Sequence, residues 1–201
     1  MIQSTADPRR RSVLLRAYDY STAGAYFVTI CAAHRECLFG EVAGGEMVLN
    51  QAGEIVSDEW LNTPAVRPDV WLDYFVVMPN HVHAIVMIVR NDRDASQRRG
   101  VWPYAPTNDR IRWKSPSRTL GAIIRGFKSA ATKRINETQG TPGIPVWQRN
   151  YYERVIRNAD EMNCIREYIA LNPTQWADDE NNPASRHVRA TRWAAPTSAT
   201  P

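Results

Sequence analysis

Hydrophobic and polar positions along the chain follow two periods, one typical of strands and the other of helices. Short runs rich in aromatic and β-branched residues are typical of β-strands. They predict four strands, at residues 26–32, 70–78, 81–89 and 151–156. A weaker apolar stretch at 39–49 is interrupted by Gly44 and Gly45, which predicts a small hairpin. Pro79 and Asn80 predict a tight turn between the second and third strands, because proline fits poorly in a central strand.

Three stretches carry apolar residues every three or four positions, which is the period of an amphipathic helix. The first begins after Asn50, a good N-cap residue, and its stripe consists of Ala52, Ile55, Val56 and Trp60. The stripe of the second consists of Leu120, Ile123, Ile124, Phe127, Ala131 and Ile135. The third begins at Asn158, with Glu161 placed as in a capping box, and ends at Asn172 because Pro173 follows.

Together these elements run strand, helix, strand, strand, helix, strand, helix. This order predicts an α+β domain with a ferredoxin-like βαββαβ core, an antiparallel sheet with helices on one face, followed by a C-terminal helix. We expect a basic N-terminal tail at 1–14 and one domain at 15–177, which includes a basic loop at 90–118. Residues 178–201 are polar and then rich in Ala, Thr and Pro, so we expect a disordered C-terminal tail.

Composition narrows the class of protein. The 201 residues are 43% hydrophobic, enough for one real core. The N-terminus has no apolar signal segment, and no uninterrupted apolar run reaches the ~18 residues that a membrane span needs. Three widely spaced cysteines match neither a zinc module nor a disulfide framework. We therefore expect a cytoplasmic protein with no membrane partner.

The net charge of +4 is weak evidence for an anionic partner, but the basic residues are clustered. Residues 90–118 hold eight basic side chains and three acidic ones, interleaved with Trp102, Tyr104 and Trp113. Such a segment is either a functional loop, in which aromatic rings stack on bases and cations meet phosphates, or disordered. Basic residues on the helices are more often an ordinary solvated face. Candidate DNA contacts are Arg9, Arg10, Arg11, Arg98, Arg99, Arg112, Lys114, Arg125, Lys128, Arg149 and Arg154.

His81 and His83 are the candidate metal ligands. They lie one residue apart on the predicted third strand, so both side chains point to the same face. Two imidazoles placed this way can hold one divalent cation, although buried structural histidines are the commoner explanation of such a pair. Tyr168 and Asn172 lie one turn apart on the last helix. An amide oxygen is a reasonable third ligand, and a phenol beside a Lewis acid is a usable nucleophile for a phosphate.

The run Met-Pro-Asn-His-Val-His at 78–83 resembles the His-hydrophobic-His motif of the HUH endonucleases. Taken with Tyr-x-x-x-Asn-Pro at 168–173, the pattern resembles the REP-associated tyrosine transposases, the IS200-like branch that uses one tyrosine. Further matching segments are 18–20, 25–30, 75–86, 146–149 and 152–158. The resemblance covers about residues 15–175, and the His pair followed by the tyrosine motif is its most specific part.

The resemblance implies a metal-dependent transposase and endonuclease of single-stranded DNA. Its metal, Mg²⁺ or Mn²⁺, would be bound by His81, His83 and Asn172, and Tyr168 would be the nucleophile that forms a 5′-phosphotyrosine. The implied partner is single-stranded DNA with hairpins from REP-like repeats, and the implied process is DNA transposition by recombination. The target sequence and the choice between monomer and homodimer stay open.

Two other interpretations remain. A domesticated relative would bind DNA hairpins without cutting them, although such a protein would be free to lose one of the four site residues, and all four are present. A structural zinc site in a protein unrelated to nucleic acids is the third interpretation, and it predicts unfolding on chelation.

Overall fold

The computed structural model describes residues 23–89 and 119–185. Its strands are β1 (Gly24–Cys31), β2 (Gly40–Ala43), β3 (Glu46–Leu49), β4 (Val70–Met78), β5 (His81–Ile88) and β6 (Tyr152–Ile156). Its helices are α1 (Gln51–Leu61), α2 (Thr63–Val66), α3 (Leu120–Gln139) and α4 (Ala159–Leu171). The predicted basic tail at 1–14 and basic loop at 90–118 lie outside the described residues.

Four strands form one antiparallel sheet in the order β4-β5-β1-β6. With α1 between β1 and β4, and α3 between β5 and β6, this is the predicted βαββαβ arrangement, and the α+β fold class is confirmed. Strands β2 and β3 form the separate hairpin that the Gly44 and Gly45 pair predicted. Both glycines have positive φ angles, of 61° and 83°, a conformation that glycine adopts without strain.

Helices α1 and α3 pack on one face of the sheet and bury the main core. Every residue of their two predicted stripes is buried, as are the alternate β1 residues Tyr26, Val28 and Ile30. Trp60 of α1 meets Phe127 of α3 edge to face, with ring centroids 5.0 Å apart. These two rings therefore join the two helices in the centre of the core.

Replacement of Trp60 by alanine should destabilise the fold by about 3–5 kcal/mol, because it removes a fully buried ring and leaves a cavity. Urea unfolding followed by circular dichroism measures this. The matched control is Trp71→Ala, since Trp71 on β4 is 61% exposed and its loss should cost no more than about 0.5 kcal/mol. Equal losses in the two variants would contradict this description of the core.

Helix α4 packs on the opposite face of the sheet. Its buried residues Ile165 and Ile169 form a second, smaller cluster with Phe27, Ile85 and Ile156. The predicted N-cap is confirmed, because Asn158 Oδ1 accepts a hydrogen bond from the Glu161 backbone N–H at 2.8 Å.

A bidentate ion pair ties α4 to the edge strand β4. Arg166 donates from Nε and Nη2 to the two carboxylate oxygens of Asp73, at 2.8 and 2.6 Å. Asp73 lies at an irregularity in the pairing of β4 with β5, between Leu72 and Phe75. The pair fixes α4 across the face of the sheet that carries the two histidines.

The polar composition predicts a disordered tail from residue 178. The described structure instead continues to residue 185. A short 3-10 helix, Trp176–Asp178, is followed by described residues up to 185, in which Asn181 and Asn182 are buried. Asn182 Nδ2 donates to the Trp176 carbonyl at 2.9 Å, and Ser185 Oγ donates to the Asp179 carbonyl at 2.7 Å. Polar side chains here bind the backbone, and the centroid of the Trp176 ring lies 6.0 Å from that of His81, so local hydrogen bonds and this ring contact hold the segment.

Among the described residues the three cysteines are free thiols, and no helix is long and apolar enough to cross a membrane.

Candidate active site

His81 and His83 extend from β5 toward the face of the sheet that α4 covers. Both are buried, with 0% and 3% of their surface exposed, and their ring centroids lie 4.4 Å apart. The prediction that the two imidazoles share a face is therefore confirmed. Their backbone lies in a central strand, between β4 and β1, which holds the pair rigidly.

Asn80 determines which ring nitrogen of His81 carries the proton. The Asn80 amide nitrogen donates to two carbonyls, those of Arg35 at 3.0 Å and Asn181 at 2.8 Å. Its oxygen therefore faces His81 Nδ1, at 2.9 Å, and can only accept. The proton of His81 lies on Nδ1, and the lone pair of Nε2 is left for a ligand.

Thr29 and Tyr168 are the partners of His83. Thr29 Oγ1 lies 2.9 Å from His83 Nδ1, and the Tyr168 hydroxyl lies 3.2 Å from His83 Nε2. In the tautomer in which His83 Nδ1 donates to Thr29, Nε2 accepts the Tyr168 hydroxyl proton, and a cation bound at Nε2 would replace that hydrogen bond. In this tautomer both Nε2 atoms carry lone pairs on the side where α4 ends.

Asn172 brings an amide oxygen to the same place. It is the C-cap of α4, one turn beyond Tyr168, and only 2% of it is exposed. Among the described residues, neither Asn172 Oδ1 nor His81 Nε2 has a hydrogen-bond partner, although both are buried. Two unsatisfied acceptors are costly, and a bound cation would satisfy both.

Asp179 completes the cluster, although the sequence patterns did not predict it as a ligand. One ligand atom each from His81, His83 and Asp179 lie within 4.8 Å of one another, so the three residues could hold a metal ion. The Asn181 backbone N–H donates to the Asp179 carboxylate and orients it. The available signal is the acidic and amide-rich run Asp-Asp-Glu-Asn-Asn at 178–182, which lies within the predicted C-terminal tail.

The electrostatics of the site keep both imidazoles neutral. Burial lowers the pKa of His81 to about 3, with a further contribution from Arg35 and an opposing one from Asn172. Burial likewise lowers the pKa of His83 to about 3, with His81 adding to the effect. Neutral imidazole is the form that binds a metal. Burial and then Asp179 raise the pKa of Tyr168, against an opposing effect of Asn172, so the phenol keeps its proton at neutral pH.

Metal-free protein should lose stability as the pH falls from about 6.5 toward 3. In this range the unfolded chain protonates both histidines while the folded chain does not, so folding stability rises with pH. Each histidine contributes up to about 1.4 kcal/mol per pH unit. Urea unfolding in chelator at several pH values measures the slope. In a double variant, His81→Gln with His83→Gln, the free energy of unfolding should change less with pH. An equal change in the double variant and the parent protein would show that these two histidines are not its source.

Four other tyrosines lie in or beside predicted strands, where packing roles are expected. Tyr26 is buried in the main core, whereas Tyr74 is 53% exposed, because the pairing of β4 is irregular there. Tyr151 packs against the core, with Lys128 Nζ 5.8 Å from its ring centroid. Tyr152 is half exposed on β6.

The candidate DNA contacts divide into three groups. Arg125, Arg149 and Arg154 are exposed, although Arg154 pairs with Glu161. Lys128 Nζ donates to the carbonyls of Gln148 and Asn150 and so supports the loop before β6; burial lowers its pKa to about 8. The remaining candidates lie outside the described residues: Arg9, Arg10, Arg11, Arg98, Arg99, Arg112 and Lys114.

Comparisons with known proteins found a relative of similar sequence and a solved structure of similar fold. No protein-family model matches the chain. An uncharacterised protein of Haemophilus influenzae is 38% identical over 171 residues, which cover 85% of this chain and 92% of the relative. The solved structure of a REP-associated tyrosine transposase bound to a REP hairpin is similar with a TM-score of 0.50. At 18% identity, over 79% of this chain and 72% of the other, that likeness shows the fold.

Proposed function

The chain belongs to the same family as the Haemophilus influenzae protein and has the fold of a REP-associated tyrosine transposase, and from this premise we propose that it is a metal-dependent transposase that cleaves and rejoins single-stranded DNA. The observation that carries the proposal is the convergence of Tyr168 with a buried set of potential metal ligands. A phenol, two neutral imidazoles, an amide oxygen and a carboxylate meet at the end of α4.

The ligand set fits a divalent cation. His81 Nε2, His83 Nε2 and Asn172 Oδ1 would hold it, and Asp179 adds a carboxylate that the resemblance did not imply. Two nitrogen and two oxygen donors suit Mn²⁺, and oxygen donors suit Mg²⁺. When bound, the cation would polarise the scissile phosphate and stabilise the charge that develops on it.

Tyr168 would act as the nucleophile. Its oxygen attacks the phosphorus, the bond from phosphorus to the 3′-oxygen breaks, and the products are a 5′-phosphotyrosine and a free 3′-hydroxyl. Because the phosphotyrosine retains a phosphodiester linkage, a 3′-hydroxyl can attack it in the reverse direction and rejoin a strand. Positive charge at the ligand cluster would favour the phenolate, which burial and Asp179 otherwise disfavour.

The proposed substrate is single-stranded DNA that carries a hairpin. The structural neighbour is bound to a REP hairpin, and this chain has a net charge of +4 with exposed arginines at Arg149 and Arg154. Attraction of this kind to phosphates does not depend on base sequence.

The function is tested with labelled DNA hairpins that have single-stranded flanks. The protein is incubated with them in Mn²⁺, in Mg²⁺ or in chelator, and the products are separated on a denaturing gel. We expect a slower covalent band that requires a divalent cation. Tight binding on a native gel with no covalent band in any cation would contradict the proposal, and would favour a protein that binds hairpins without cutting them.

A further inference from the structure

Tyr152 is an exposed aromatic residue beside the proposed nucleophile. It begins β6, where it pairs with Thr29, and Thr29 in turn pairs with His83 on the other side of β1. Tyr152, Thr29 and His83 thus form one row across the sheet, on the same face. Half of the Tyr152 side chain remains exposed, although it is a large aromatic residue in a strand.

Phe27 links Tyr152 to the site. Its ring stacks on His83 with centroids 5.4 Å apart, and it meets Tyr168 edge to face at 6.0 Å. The same ring meets Tyr152 at 6.5 Å with an interplanar angle of 69°. One buried ring therefore separates Tyr152 from the nucleophile, and it supports both tyrosines.

A basic residue, Arg154, lies close to Tyr152 on the same strand. Arg154 is two residues further on, so it lies on the same face, and 56% of its side chain is exposed. Arg154 Nη2 forms an ion pair with Glu161 Oε1 in the first turn of α4, which tethers the guanidinium beside that helix. Among the described strands, β6 forms an edge of the four-stranded sheet.

We propose that Tyr152 is the stacking platform for a base next to the scissile phosphate, with Arg154 contacting the neighbouring phosphate. The inference rests on the proposed function, since it assigns Tyr152 to the same single-stranded DNA. An aromatic residue followed by a cation on one face is the combination that binds single strands with little sequence preference. Tyr152 is then a positioning residue that orients the strand for attack by Tyr168.

Binding is measured in chelator in the Tyr168→Phe background, so that the result does not depend on cleavage. The probe is a fluorescein-labelled DNA hairpin with single-stranded thymidine flanks, followed by anisotropy. Tyr152→Ala should weaken binding about tenfold, whereas Tyr152→Phe should stay within about twofold, because a phenyl ring stacks as well. The matched control is Tyr74→Ala, a comparably exposed tyrosine on the opposite edge strand, which should leave the affinity unchanged.

The same hairpin with abasic flanks tests stacking itself. We expect Tyr152→Ala to have no effect on that probe, since no base is left to stack. Equal binding of the thymidine probe by Tyr152→Ala and its parent, or an equal loss in Tyr152→Phe, would overturn the stacking role alone. Absence of binding by the parent protein would overturn the proposed DNA substrate together with it.

Discussion

Tyr168→Phe should reduce the yield of covalent DNA–protein adduct by about a thousandfold or more, the scale expected when a nucleophile is removed. The substitution deletes only the hydroxyl that lies 3.2 Å from His83 Nε2. The ring contact with Phe27, at 6.0 Å between centroids, can persist, so we expect α4 to stay in place. Quantitative denaturing gels with labelled hairpins in Mn²⁺ measure the adduct.

Hairpin binding and Mn²⁺ binding serve as the controls for this variant. Both should stay within about twofold of the parent protein, because the hydroxyl is not among the proposed ligands. Tyr152→Phe is the matched comparison, since it removes the hydroxyl of a tyrosine of similar exposure near the same site. It should retain the adduct. An undiminished adduct in Tyr168→Phe would exclude Tyr168 as the nucleophile.

His83→Ala should weaken Mn²⁺ binding by about a hundredfold or more. Loss of a residue that only supports a metal ligand typically costs about 10–100-fold, and loss of the ligand itself should cost at least as much. The affinity is measured from the electron paramagnetic resonance signal of free Mn²⁺. A second measurement is thermal stability, since a cation at about one hundred times its Kd stabilises the parent protein by about 2.7 kcal/mol.

His34→Asn is the control for the metal prediction. His34 is exposed and has a positive φ of 53°, a conformation that asparagine tolerates. Its variant should bind Mn²⁺ like the parent protein and gain the same stability from it. If His83→Ala still binds one Mn²⁺ with unchanged affinity, then the cluster of His81, His83 and Asp179 is not the metal site.

Elements with a local pattern could be predicted from sequence. The stripe that includes Trp60 and the stripe that includes Phe127 are buried because helical period and burial are linked within one element. The shared face of His81 and His83 follows from the alternation of side chains along a strand. The spacing of Tyr168 and Asn172 brought both to the histidines because α4 continues to its predicted end.

Features that depend on distant contacts could not be predicted in this way. Asp179 reaches the histidines because Asn80 and Arg35 hold Asn181, and these contacts join residues far apart in the chain. The exposure of Tyr74 follows from an irregular pairing of β4 that no periodicity reveals. Lys128 looked like a free surface cation, and only the fold brings it to the carbonyls before β6.

The central claim, that Tyr168 forms a covalent bond with DNA, is tested most directly by mass spectrometry of the trapped adduct after trypsin and nuclease digestion. Trypsin releases Tyr168 in the peptide 167–186, which has no other tyrosine, whereas Tyr151 and Tyr152 lie in the peptide 150–154. We expect a nucleotide joined through its 5′-phosphate to Tyr168 in the first peptide. A nucleotide on the second peptide, or no modified peptide despite complete coverage of the chain, would contradict the claim.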